Sequence, residues 1–273
     1  MQYNLLSSFS VFGDFSEISI GDNDKNIRYT NLVNSFVNLN LIVSIAEEFG
    51  FVIDPRATTP PKPKKIMRPV IFSLNKEWNI AFGSDRIDIN WTGLTAESFM
   101  GKEEFINKAK LFLDIIVKTY EIKFSRVAFN YESILYDLNE EVAQAVLNKV
   151  AATQLTLYNN KPLNEWRVQY TVREKPEAFD REINLVTTVS RQVRNFAWMK
   201  RVDCITLHYD CNTVVDVSSI TPISEKTAVS FLNKYADLPE QVKEELFGKW
   251  KRADFNAVKL WYDFRAIQIW RGL

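Results

Sequence analysis

Residues 68–91, RPVIFSLNKEWNIAFGSDRIDINW, decide the fold class. Val70 to Leu74 and Trp78 to Phe82 are short apolar runs, and Ile87, Ile89 and Trp91 alternate with Arg86, Asp88 and Asn90. A period of two puts successive side chains on opposite faces of a pleated strand. The stretch therefore predicts two or three antiparallel strands with a turn at Gly83.

Upstream, residues 54–69 hold five of the nine prolines together with Arg56, Lys62, Lys64, Lys65 and Arg68. Proline removes backbone donors and lysine prefers water, so the segment reads as an extended linker or loop. Before it, Leu32, Val33, Phe36, Leu39, Val43, Ala46 and Phe49 recur near the 3.6 period of a helix, with Gly50 as its stop. The spacing predicts one amphipathic helix from Asn31 to Phe49. Phe9 to Ile20 reads as an opening strand or ribbon that turns around Gly13 and Asp14.

Downstream, Phe105, Ala109, Phe112, Leu113, Ile116 and Tyr120 trace a helical stripe. Phe124 to Tyr131 resumes strand character, and Val142, Ala145, Val146 and Val150 predict another helix. Trp166, Val168, Tyr170 and Val172 alternate with polar neighbours, and Ile183 to Val189 and Val202 to Tyr209 read as further strands. Ala228, Phe231, Leu232 and Tyr235 fall on a helix that Ser224 is placed to cap.

Strands then helix, twice over, predict an α+β class: two lobes of mainly antiparallel sheet, each backed by helices. The boundaries expected are an N-terminal strand and helix (1–53), the linker (54–69), a first lobe (70–150), a second lobe (151–248) and an aromatic C-terminal segment (249–273).

The 273 residues, 46% hydrophobic and 13% aromatic, supply ample core. Lys plus Arg and Asp plus Glu balance at 34 each, so no global field draws the protein to nucleic acid or anionic membrane. Two cysteines, Cys204 and Cys211, are too few for a disulfide framework and spaced wrongly for a zinc ribbon, which suits a reducing, cytoplasmic setting. The first residues lack a basic stretch followed by a long apolar run, and no later segment approaches about 18 apolar residues in a row. Export and membrane insertion are not expected.

Glycine is absent from 102 to 247, and the eight glycines occur singly. Neither GxGxxG, GxxxxGK[ST] nor GxSxG can be written, so loops that cradle phosphate and the nucleophile elbow are excluded. No cofactor is expected. The single histidine, His208, lies on a predicted strand with Asp210 two residues on, about 7 Å away on the same face. That spacing allows a shared metal or proton relay, but with no second histidine or converging carboxylate signalled it reads first as an ordinary half-buried sheet face. Asp85 and Asp88 read as a polar strand edge.

Arg191, Arg194, Lys200 and Arg201 are interleaved with Phe196 and Trp198. Cations for phosphates and rings for unpaired bases suit a single-stranded nucleic acid. Trp250, Trp261, Phe264 and Trp270 crowd the C-terminal segment, where aromatics left in water mark either a protein interface or closure of the protein's own core.

The run at 68–91 followed by a helix and strand, and RVDCITLHYDCNTVVDV at 201–217 followed by a helix, resemble a sporadically distributed family of uncharacterised bacterial proteins across about residues 68–250. The resemblance implies an intracellular α+β protein and assigns no catalytic residues. Patchy distribution would suit a defence-associated accessory gene. The leading expectation is a non-enzymatic protein-interaction protein of accessory, inhibitor or immunity type, with a protein partner or self-association. The alternatives are a single-stranded nucleic-acid-binding protein and a metal-dependent hydrolase or nuclease around His208.

Overall fold

A computed structural model describes residues 2–20, 25–51, 63–95, 97–136, 138–151, 163–177, 179, 181–196, 198–214 and 221–247. The chain opens with β1 (Gln2–Phe12), α1 (Lys25–Val37), β2 (Leu41–Phe51), β3 (Pro63–Ser73), β4 (Trp78–Phe82), β5 (Arg86–Thr92) and α2 (Lys102–Tyr120). It continues with β6 (Arg126–Tyr136), α3 (Glu140–Val150), β7 (Trp166–Glu174), β8 (Ile183–Arg194), β9 (Val202–Thr213), α4 (Glu225–Tyr235) and α5 (Leu238–Phe247). The strands form one antiparallel sheet of nine in the order β2-β3-β4-β5-β1-β6-β9-β8-β7. The fold is α+β.

Each half of the chain runs the same course. A first strand enters the middle of the sheet, a helix follows, a meander of antiparallel strands returns, and its last strand pairs with the first: β5 with β1, and β9 with β6. The two first strands then pair with each other from Gln2↔Leu135 to Phe12↔Arg126. That pairing replaces the expected pair of lobes with one continuous sheet, because the opening strands satisfy each other's backbone groups instead of leaving two edges.

Helix α2 carries its predicted stripe of Phe105, Ala109, Phe112, Leu113, Ile116 and Tyr120, all buried. Glu103 and Glu104 in the first turn and Lys118 in the last complement the helix dipole, and Glu121, at φ 53°, ends it in the left-handed conformation. Ser224 caps α4 by accepting from the Thr227 N–H, and Asn139 caps α3 by accepting from Val142.

Two expectations are corrected. The single helix over Asn31–Phe49 is α1 followed by β2: Leu32 and Phe36 are buried from the helix, whereas Leu41 and Val43 pack on the core from the strand. The break is Asn38–Leu39–Asn40, where Asn40 takes φ 60°, a conformation that asparagine tolerates and that stops a helix. The proline-rich linker is shorter than expected, since residues 63–69 belong to β3. Arg68 is not solvated there but 1% exposed, and it donates to the backbone oxygens of Phe15 and Ile18 while pairing with Glu48.

Gly93 closes β5 against an irregularity in β1 between Asn4 and Leu6, donating its N–H to the Leu5 oxygen at 2.9 Å. A Cβ there would sit 2.7 Å from the Asn4 backbone oxygen and 2.7 Å from the Tyr3 hydroxyl, too close for either to remain in place. Gly93→Ala is expected to cost about 1–3 kcal/mol as an overpacked site, read from urea melts. An unchanged midpoint would mean that β1 is free to give way.

Candidate functional face

The helices lie on one side of the sheet. On β1 and β6, Phe9, Val11, Phe129 and Tyr131 join the main core cluster with side chains of α1, α2 and α4. A second cluster joins Leu135, Val189, Ile205 and Leu207 to Val146, Leu147 and Val150 of α3 and to Leu246 and Phe247 of α5. The alternate residues of the same strands point to the other side, where no helix packs among the described residues.

That open face is polar at its centre. Register sets Asn79, Asn90, Ser8, Asn130 and Asp210 side by side across β4, β5, β1, β6 and β9. A parallel row sets Glu132 beside His208, then Thr188, then Gln169 across β6, β9, β8 and β7. Its polar side chains bond to each other: Ser8 donates to Asn90 at 2.5 Å, Ser10 to Asp88 at 2.5 Å, and Ser190 and Thr206 lie 2.7 Å apart. Two ion pairs close within it as well, Arg86 with Asp88 at 2.8 Å and Arg194 with Glu132. Pairing within the surface fixes side-chain directions.

One corner of the face is apolar. Tyr3, Ile134, Tyr136, Val202 and Cys204 are covered by Phe196, Trp198 and Met199 from the β8–β9 connection. Trp198 stacks on Phe196 at 5.4 Å and meets Tyr3 at 5.0 Å and Tyr136 at 6.0 Å. Beside this corner, β6, β9, β8 and β7 floor a depression of about 490 Å³ whose lining includes Glu132, His208, Thr188, Ser190, Thr206 and Gln192.

This geometry separates the residues expected to bind nucleic acid. Alternation along β8 puts Arg191 and Arg194 on opposite faces. Arg191 points to the helix side, 7% exposed, where it pairs with Glu140 and Asp203 and donates to the Leu163 oxygen. Those hydrogen bonds, Asp203 first and Glu140 second, hold it charged. Arg194 is committed to Glu132, and its guanidinium lies 5.5 Å from the Phe196 ring. The Trp198 ring is taken up by the apolar corner, and Lys200 and Arg201 stand exposed at the hairpin end. The five residues do not share one surface.

His208 and Asp210 do share a face, as alternation requires, but Asp210 accepts from Asn212 at 3.2 Å and His208 makes no hydrogen bond among the described residues. No group of three or more His, Cys, Asp or Glu side chains converges there or elsewhere in the described residues. Cys204 and Cys211 are both buried, on opposite faces, and burial pushes the Cys204 thiol up to about 11 and the Cys211 thiol higher still. A thiol so displaced is a poor nucleophile at neutral pH. Trp250, Trp261, Phe264 and Trp270 lie outside the described residues.

Glu132 falls one residue past the apolar run that predicts its strand; alternation with Tyr131 and Ser133 carries its face, and only register fixes its neighbours. Helix α5 has no expectation in the sequence. It carries a buried Lys243 whose ammonium donates to the Tyr131 hydroxyl at 2.8 Å and pairs with Glu240 at 2.7 Å. Burial lowers the Lys243 pKa and drives the Tyr131 phenol well up. The space beside this cluster is about 10 Å³, room for about one water, so it ties α5 to β6 and admits no ligand.

No protein-family model and no curated protein matches the chain. No helix among the described residues is long and apolar enough to cross a membrane.

Proposed function

We propose that the chain is a non-enzymatic binding protein, of accessory or inhibitor type, that offers the open face of its sheet to a protein partner. The observation that carries this reading is the one-sided arrangement of the helices. A wide sheet face with no helix on it among the described residues presents ordered amide and hydroxyl groups around an apolar corner. Protein interfaces combine such a mix, with about one hydrogen bond per 100–200 Å² around a buried apolar centre. Two ion pairs, Arg86 with Asp88 and Arg194 with Glu132, close within the face, so these four charges do not call for an opposite field from a partner.

The test uses a photo-crosslinking residue placed at Asn130, at the centre of the face, and separately at Leu111, on the outer side of α2. In the native host, the Asn130 position is expected to capture a protein and the Leu111 position none. Asn130→Arg is expected to reduce the yield of that protein by about tenfold, the scale of a contact worth ~1–2 kcal/mol, with the melting midpoint unchanged. Capture from Leu111 alone, or crosslinks to nucleic acid, would overturn the reading.

A further inference from the structure

The depression over β6, β9, β8 and β7 has a chemistry of its own, independent of protein docking. We propose that it binds a neutral oligosaccharide. Its volume, about 490 Å³, falls within the roughly 300–1,000 Å³ of small-molecule sites. Its lining is unlike the apolar majority of such sites, however: among the described residues, the side chains turned to the space are polar or charged, while Trp166 at its rim packs with Val168 on the α3 and α5 cluster.

Both signs of charge face the space, Glu132 and Glu165 against Arg167. An anion would meet the carboxylates and a cation the guanidinium, at a like-charge cost in either case. A sugar hydroxyl avoids both penalties, since each donates one hydrogen bond and accepts others. Adjacent ring hydroxyls can therefore donate to Glu132 or Glu165 while accepting from Arg167.

The floor is preorganised for this. Thr206 is held by Ser190 at 2.7 Å and by Gln192 at 3.3 Å, which fixes the direction of the remaining lone pairs and protons. His208, in register between Glu132 and Thr188, makes no hydrogen bond among the described residues and so has both ring nitrogens to offer.

The test titrates the full chain with maltose, cellobiose and N,N′-diacetylchitobiose, and with glutamate and spermidine as anionic and cationic probes. Amide and His208 ring resonances are followed by NMR. At least one disaccharide is expected to give saturable shifts confined to β7, β8, β9 and β6. His208→Ala and Arg167→Ala are each expected to weaken that binding by roughly tenfold, the loss of a hydrogen bond to a polar or charged group. Arg167 is exposed, so its variant reports even if His208→Ala disturbs the strand. The proposal is overturned if none of the three sugars saturates, if glutamate or spermidine binds the same residues more tightly, or if neither variant changes the affinity. Protein capture at Asn130 can fail without touching this result, and the reverse.

Discussion

Glu48→Ala is expected to lower the unfolding free energy by about 3 kcal/mol, although the residue it truncates is partly exposed. The cost arises at Arg68, which is 1% exposed and reaches in from β3 to bind the Phe15 and Ile18 oxygens of the β1–α1 connection. Its Nε pairs with Glu48, and its Nη2 has no hydrogen-bond partner among the described residues. Removing the carboxylate strands a buried guanidinium, and breaking a buried pair from one side costs about 3–5 kcal/mol. Glu48 is 31% exposed, which places the expectation at the lower end. The same carboxylate accepts from the Ser84 N–H at 3.2 Å and hydroxyl at 3.1 Å, so the β4–β5 turn loosens too.

The double variant Glu48→Ala with Arg68→Met is expected to recover much of the loss, because no charge is then left buried. Equal loss in both would show that packing, not charge, dominates the site. A pH signature accompanies it. Burial raises the Glu48 pKa, but hydrogen bonds from Arg68 and Ser84 outweigh burial and hold it below its ordinary value. A carboxylate depressed in the folded state contributes stability above its unfolded pKa, about 4.5, and loses it as pH falls through the folded value. The acid limb of a stability–pH curve should therefore be shallower in Glu48→Ala than in the native chain.

Trp78→Ala is expected to cost about 3–5 kcal/mol, through a cavity instead of a charge. Trp78, on the short strand β4, lies flat on Phe105 at 5.6 Å with an interplanar angle of 8°, and edge-on to Phe112 at 5.4 Å. It thereby joins the sheet to α2, and its loss removes one partner from each ring. Trp78→Phe keeps most of the contact and should cost about 1–2 kcal/mol. Urea denaturation followed at far-UV wavelengths separates the two. A loss under about 1 kcal/mol in Trp78→Ala would mean that α2 closes over the gap.

Much of the fold could be read from local pattern. The alternation of Arg86–Trp91, the stripe of α2 and the Ser224 cap each depend on residues close in sequence, and each is present. The errors came where a local signal met a distant partner. Leu39, Val43, Ala46 and Phe49 continue the spacing of Leu32 and Phe36, yet Leu41–Phe51 pairs along its whole length with Pro63–Ser73. Pairing with β3 outweighed a weak helical period, and Asn40 permitted the break. Arg68 sits among prolines and lysines that suggest water, and its burial depends on Glu48, Phe15 and Ile18.

The candidate face was legible only in fragments. Alternation alone places His208 and Asp210 on one face, and along β8 it separates Arg191 from Arg194. The sequence by itself determined the α+β class, the lack of any glycine-rich phosphate motif and the alternation of faces in strands such as Arg86–Trp91, because these follow from glycine positions and a period of two. Tertiary structure alone decided that both halves share one sheet and that Glu132 stands beside His208 and Ser8 beside Asn130. Register between strands distant in the chain is set by the hydrogen bonding and packing of the whole sheet, which no short segment encodes.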